Sequence, residues 1–212
     1  MLTEYTYPGG RILLEDDNPT TPAKVALEYE PRKVRWLQEH LKPGMCFVDV
    51  GAHHGYYTLL AANLVGFGGF MLAFEPDPDN FKVLMKNKIL NHYNQIWLSN
   101  VALSHENDGG KPLYRYNRSD QSSFYPPFDN ASYVCIATTY MFDTFIEQYV
   151  PFIIPDVIKI DTQGHEYQVV QGMEQTLKAN PDCKVILEVH PHLNPDSVKA
   201  VDLLKEWGIE IV

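Results

Sequence analysis

The sequence predicts an α/β fold, a doubly wound and mostly parallel sheet, and three observations carry that prediction. Short apolar runs rich in strand formers alternate with amphipathic helical stretches along most of the chain. A glycine-bearing turn, Gly51 to Gly55, joins the first such run to the helix after it. No internal repeat or low-complexity block interrupts the alternation. The length of 212 residues, with 45% hydrophobic and 21% charged, suits one domain with a packed core. That single domain, 1–212, divides into an arm and lead-in helix (1–44), a first half (45–104), an insertion (105–138) and a second half (139–212).

Each element has a local reason. Thr21-Pro22 and Glu30-Pro31 place prolines where helices can begin, and Val34, Leu37 and Leu41 recur at helical spacing until Lys42-Pro43-Gly44 stops the run. Met45 to Val50 reads as a buried strand, Tyr56 to Val65 as a helix and Phe70 to Phe74 as a second strand ending at Glu75. Asp77 can cap the next helix with Pro78 in its first turn, and Phe81, Leu84, Met85 and Ile89 are expected to form its apolar face. A third strand is expected over Gln95 to Val101. The insertion is rich in Tyr, Ser, Asn, Asp and Pro, and predicts one hairpin with strands near Pro112–Tyr116 and Tyr133–Ile136, lying over a site. After it come a helix (Phe142–Tyr149), a strand (Val157–Asp161), a helix (Glu166–Leu177) and a strand (Lys184–Val189). Asn194-Pro195 then starts a helix with Val198, Val201, Leu204 and Trp207 inward, and Ile209 to Val212 forms a last strand.

Composition narrows the function. A formal charge of -10 disfavours a phosphate backbone as partner, so no nucleic acid is expected. Cys46, Cys135 and Cys183 are odd in number and widely spaced, and read as reduced thiols; Cys46 and Cys183 within strands suit small buried apolar positions. Met1 to Arg11 has no apolar leader core, and Thr58 to Phe74, the most apolar stretch, is broken by Asn63 and three glycines. A cytoplasmic protein without a membrane span is expected. Trp36, Trp97 and Trp207 are expected to pack rather than stack on a ligand.

The most informative segment is FVDVGAHHGYYT. Gly51 would let the chain turn sharply where a Cβ would collide with an approaching ligand, and Gly55 would let helix and strand pack closely. Glu75 lies 26 positions after Asp49, at the strand end where such folds place an acid that accepts ribose hydroxyls. His53 stands where a dinucleotide fingerprint needs its second glycine, so a phosphate-free nucleoside is favoured over a nicotinamide dinucleotide. Asp49 would repel phosphate and accept an amino-acid ammonium, which suits S-adenosylmethionine.

These stretches, with AFEPDPDNFKVLMKNKILN, NVALS, DTFI and IKIDTQGHEYQVVQGM in order behind them, resemble the FkbM family of S-adenosylmethionine-dependent methyltransferases. The resemblance covers most of residues 30–192. It implies a Rossmann-like class I methyltransferase fold, with 45–104 as the cofactor-binding half and 139–212 as the acceptor-side half. It places S-adenosylmethionine on Asp49, Gly51, His53, Gly55, Tyr56 and Glu75, with adenine near Asn100 and Ala102. It implies O-methylation of a hydroxylated small-molecule or glycan acceptor, such as a sugar, lipid or polyketide. Two departures stand out: His53-His54 replaces an Asn-containing turn, and the chain ends before a seventh, antiparallel strand, which suggests a truncated chain or a shortened sheet.

Methyl transfer is an in-line displacement, so the acceptor must be held about 3 Å from the methyl carbon and relieved of its proton. Candidate groups lie at the carboxyl ends of two strands: Asp161, His165, Glu166, Glu188, His190 and His192. Asp161 and His165 are taken as catalytic, and Lys159 shares a strand face with Asp161, where it can pair with an acid. Glu166 also suits an ordinary first-turn acid of its helix. Glu188 and His190-x-His192 have a spacing a metal would exploit, but Pro191 ends the strand and no further ligand is dictated, so no metal is expected. Ser122-Ser123 resembles a serine pair of the family and is expected near the acceptor. The rival readings are a nicotinamide-dependent oxidoreductase and an inactive cofactor-binding interaction module.

Overall fold

A computed structural model describes residues 2–7, 10–15, 30–107, 110–115, 121–125 and 131–212. The chain opens with a hairpin of β1 (Leu2–Tyr7) and β2 (Gly10–Glu15), then α1 (Pro31–His40). The first half follows as β3 (Cys46–Val50), α2 (Tyr56–Val65), β4 (Phe70–Phe74), α3 (Pro78–Leu90) and β5 (Ile96–Ser99). The middle holds β6 (Ala102–Leu103), β7 (Lys111–Arg115), β8 (Ser122–Ser123), β9 (Ser132–Ala137) and β10 (Thr139–Tyr140). The second half runs through α4 (Phe142–Tyr149), β11 (Val157–Ile160), α5 (Glu166–Gln171), α6 (Glu174–Ala179) and β12 (Lys184–Leu187). A 3-10 turn (Pro195–Val198), α7 (Lys199–Glu206) and β13 (Glu210–Ile211) complete it.

The central sheet has six strands in the order β13-β12-β11-β3-β4-β5, every neighbouring pair parallel. The expected doubly wound α/β architecture is therefore present, and no antiparallel edge strand joins this sheet among the described residues. Strand residues are buried on both faces, as helices covering both sides require. One core gathers Val48, Phe74, Ile158 and Met173 with Phe142 of α4; the other gathers Phe47, Met71 and Ile186 with α1 and α2. Cys46 and Cys183 are buried thiols, as expected, and burial pushes both up to about 12. Among the described residues no helix is long and apolar enough to cross a membrane.

Several sequence expectations are corrected. Of the supposed apolar face of α3 only Leu84 is buried, while Met85 and Ile89 face solvent. The helix instead turns Asn87 and Asn91 towards β2. The Asn87 carbonyl accepts Glu15 N–H at 2.7 Å, and its amide donates to Glu15 O at 2.9 Å and to His54 O at 2.8 Å. Asn91 repeats the pattern on Leu13, at 2.7 and 2.6 Å. Two amides four residues apart thus imitate a paired strand along the hairpin edge. Asn87→Ala, which strands one buried and two part-buried partners, is expected to cost about 2–4 kcal/mol in urea denaturation, against under about 0.5 kcal/mol for Lys82→Ala on the exposed face.

The strand expected over Gln95–Val101 ends at Ser99 because the Asn100 side chain donates to Glu75 O at 2.7 Å and Pro76 O at 3.2 Å, drawing the chain out of the ladder. The helix expected over Glu166–Leu177 is split. A Cβ on Gly172 would lie 2.0 Å from the Ser104 carbonyl oxygen, and Gly172 O accepts Asp143 N–H at 3.0 Å, so the turn is held against its neighbour. Asp143 then caps α6 from outside, accepting Gln175 N–H and Thr176 N–H, both at 2.9 Å. The insertion forms a three-stranded antiparallel sheet, β8-β7-β9, rather than a single hairpin. Its pairing needs Ser122 and Ser123, too short a run to read as a strand. The amino-terminal hairpin was not foreseen, although Pro8-Gly9-Gly10 is a turn signal between its strands. Trp97 is 44% exposed and Val198 43%, so neither fills the core as expected. The last strand shortens to Glu210–Ile211. Thr21-Pro22 lies outside the described residues.

Candidate active site

A cleft opens over the carboxyl ends of β3, β4 and β11, where open α/β sheets present ligand sites.

Its first wall is the turn after β3. Gly51 has φ +81°, and a Cβ there would lie 1.9 Å from the Asp161 carbonyl oxygen. The tight approach is therefore to β11 of the same sheet. Gly55 packs under Leu84 of α3 and does not line the cleft. His53 is left-handed at φ 52°, and its N–H reaches Glu75 Oε2 at 2.7 Å while its ring stacks on His54. Glu75 Oε1 accepts Asp77 N–H at 3.0 Å. Burial, with the Asp77 charge beside it, pushes the Glu75 carboxyl up to about 7 against the pull of the Asp77 and His53 N–H groups and Asn80. With the Asn80 amide as a third donor, one lone pair of the Glu75 carboxylate is left beyond these bonds, and the residue lines the cleft with Tyr56 and Ala102. Asn100 lies outside the cleft and supports the Glu75–Pro76 backbone.

Asp77 caps α3 as expected, accepting Asp79 N–H at 3.0 Å. The same carboxylate accepts Arg115 and, at 2.7 Å, the Ser122 hydroxyl. Despite its burial, Arg115 and Ser122 hold the Asp77 carboxyl below its usual range. Ser123 donates to Gln163 O at 2.6 Å. The serine pair thus pins the insertion across the cleft, one hydroxyl to each half.

Asp49 stands behind the wall. It is fully buried, accepts Thr58 Oγ1 at 2.6 Å and lies 3.6 Å from Lys159 Nζ, and burial raises its carboxyl against the pull of that lysine. Lys159 lies between Asp49 and Asp161, 3.4 Å from the latter, so the expected pairing is present. Burial opposes its charge, but Asp161 and Asp49 win and its pKa is raised. Asp161 sits on the cleft wall, and Lys159, His190 and Lys33 hold its carboxyl low despite burial.

His165 also lines the cleft, 3% exposed, with Nε2 3.0 Å from Ser104 Oγ and Nδ1 3.0 Å from Tyr125 OH. Its imidazole bridges the sheet side to the insertion. Glu166 is no ordinary first-turn acid: Oε1 accepts Thr162 N–H at 3.1 Å and Gly164 N–H at 3.0 Å and meets His190 Nδ1 at 2.9 Å. Glu188 lies on the cleft wall with Lys33 bonded to it, and Lys33 in turn bonds Glu30, which accepts Tyr57 OH at 2.5 Å. These links from Glu30 and Lys33 join elements far apart in sequence, and no local pattern signals them. Gln163 was also missed, although a residue before Gly164 in a strand-to-helix turn is a place to look.

Comparison with known proteins agrees with the fold. The model of the methyltransferase FkbM domain matches residues 49–211. The fold is similar to that of a methyltransferase FkbM from Methylobacillus flagellatus KT, with TM-score 0.52 and 16% identity over 91% of this chain and 49% of that one. This chain thus spans about half the length of that protein. A precorrin-6y C5,15-methyltransferase from Geobacter metallireducens GS-15 superposes with TM-score 0.53 and 16% identity, covering 87% of this chain and 74% of that one. An rRNA methylase from Streptococcus thermophilus gives 0.51 and 12%, covering 81% and 76%. No curated protein matches the chain in sequence. The sheet order, the glycine turn and the acid at the end of β4 thus occur where the family's model matches, and the chain belongs to the methyltransferase FkbM domain family.

Proposed function

We propose that the chain transfers a methyl group from S-adenosylmethionine to a hydroxyl of a sugar, glycan, lipid or polyketide-type acceptor. The observation that carries this reading is Glu75: a buried carboxylate at the end of β4, held by two backbone N–H groups and Asn80, with one lone pair left at the cleft for a ribose hydroxyl. Val101, Ala102, Leu103 and Leu113 give the neighbouring wall an apolar character that fits a purine. S-adenosylmethionine supplies an electrophilic methyl group. The chain contributes orientation and a place for the acceptor's proton. Asp161, kept ionised by Lys159, is the proton acceptor, and His165 fixes the insertion over the acceptor. Asp49 acts through Lys159, whose ammonium it steadies from behind. A hydroxylated acceptor suits the hydroxyl and amide groups of Ser122, Ser123 and Gln163 on the wall.

Calorimetric titration with S-adenosylhomocysteine tests the reading. Binding is expected to weaken at least about tenfold in Glu75→Gln, which removes a charged acceptor from a ribose hydroxyl. Because Glu75 is raised to about 7 and ribose hydroxyls favour its ionised form, wild-type affinity is expected to rise from pH 6 to pH 8, with Glu75→Gln flat over that range. Unfolding adds the converse sign. The raised carboxyl favours the folded state below its unfolded pKa, and that contribution is lost as pH rises through about 7, so ligand-free wild type is expected to lose stability between pH 6 and pH 8 relative to Glu75→Gln, which has no titrating carboxyl there. Undiminished binding in the variant would overturn the cofactor assignment.

A further inference from the structure

The ends of β11 and β12 bring together three donor atoms from residues far apart in sequence. Asp161 turns Oδ2 to Lys159 at 3.4 Å, and Glu188 gives Oε2 to Lys33. Each carboxylate thereby turns its other oxygen towards one imidazole nitrogen: His190 Nε2 is 3.8 Å from Asp161 Oδ1 and 3.7 Å from Glu188 Oε1. Donor atoms of the three residues all lie within 4.8 Å of one another. Ligands bound at about 2.1 Å around one ion stand roughly 3–3.5 Å apart, so small side-chain rotations would close the set.

The imidazole is already oriented for such a task. Its Nδ1 meets the fully buried Glu166 carboxylate at 2.9 Å, and that carboxylate is fixed by two backbone N–H groups. A proton on Nδ1 donated to Glu166 leaves the Nε2 lone pair facing the two acids. A carboxylate behind an imidazole is the arrangement that sets the tautomer and basicity of metal-bound histidines.

Gln163 supplies an independent observation. This non-glycine residue is held left-handed at φ 52°, which aims its amide between the donors: the amide nitrogen is 3.1 Å from Asp161 Oδ1 and 3.0 Å from His190 Nε2. A hydrogen-bond donor thus occupies the position between two acceptors that a cation would take. With the amide turned about its last bond and the side chain drawn back, the carbonyl oxygen can face an ion in that position as a further ligand. Among the described residues Lys159 and Lys33 are the cations facing the cluster, against Asp49, Asp161, Glu166, Glu188 and Glu30, so the acids outnumber them there.

We propose that Asp161, Glu188 and His190, with the Gln163 amide oxygen, form a binding site for one divalent transition-metal ion. Two carboxylates, an imidazole and an amide oxygen suit Mn²⁺ or Zn²⁺ better than an all-oxygen cation such as Ca²⁺. Asp161, Gln163 and Glu188 line the cleft, so the ion would hold and acidify an acceptor oxygen there. That role rests on the methyl-transfer reading; the binding itself does not.

The test uses the full chain stripped with EDTA and titrated with MnCl₂, following the loss of the free-ion electron paramagnetic resonance signal. One equivalent is expected to bind, at least about tenfold more weakly in Glu188→Gln and in His190→Gln, and more weakly in Glu166→Gln, which changes only the group behind the imidazole. Circular dichroism melts establish that each variant is folded; Glu188, at the cleft surface, gives the variant least dependent on core packing. Failure of the folded protein to take up Mn²⁺ or Zn²⁺ saturably would overturn the proposal, as would uptake undiminished in both Glu188→Gln and His190→Gln. S-adenosylhomocysteine is titrated into the same preparation. A chain that binds it but no metal loses the ion site alone, and one that binds metal but no S-adenosylhomocysteine loses the cofactor reading alone.

Discussion

Lys159→Met is expected to destabilise the chain by about 3–5 kcal/mol, because it leaves the buried Asp49 and its neighbour Asp161 without the ammonium between them. The loss follows from desolvation. Asp49 is fully buried and its carboxyl is already raised, and only Lys159 and Thr58 offset that burial. Without the lysine its folded pKa rises further above the unfolded value, so the missing stability is small in acid, where the carboxyl is protonated, and grows as pH rises through the folded pKa. Urea denaturation at about pH 5 and pH 8 should therefore show a larger deficit at the higher pH. The double variant Asp49→Asn/Lys159→Met should recover much of it, since a neutral amide needs no counter-charge. A loss below about 1 kcal/mol at pH 8 would mean that water reaches the pair and that the buried ion-pair account is wrong.

Gly51→Ala should be comparably severe, at about 3–5 kcal/mol, and should abolish S-adenosylhomocysteine binding. Two penalties combine: φ +81° disfavours any side chain, and the new Cβ would lie 1.9 Å from a backbone oxygen that has no freedom to withdraw. Gly44→Ala separates them. Gly44 has φ +90° with nothing within 4 Å of the added carbon, so its variant should show the conformational penalty alone, about 1–2 kcal/mol. Equal melting temperatures for the two variants would show that the β3–β11 contact yields, contrary to its role as a rigid seam.

How much of this was legible follows from where the information sits. The strands β3, β4 and β11 and helices α2 and α4 are written in local apolar pattern, and the Asp77-Pro78 start of α3 is written in cap chemistry, so these could be read directly. The break at Gly172 could not, because its cause is the Ser104 carbonyl many residues away. The face of α3 misled for the same reason: Asn87 and Asn91 look like exposed polar positions until β2 lies against them. At the site, Gly51, Glu75 and Asp161 carry signals in residue type and place. Gln163, Lys33 and Glu30 take their meaning from long-range contact, and the insertion shows its purpose only once Arg115 and Ser122 meet Asp77.

Because every strand of the central sheet runs parallel to its neighbours, none can be zipped to the next by a tight hairpin. Each strand must wait for a helical crossover to return the chain. The β3–β11 seam adds the longest wait, since the Cys46 amide finds Asp156 across 110 residues of sequence. Loop-closure entropy therefore places the joining of the two βαβ units late in folding, and newly made chain holds half-sheets with bare flanks before the cleft exists.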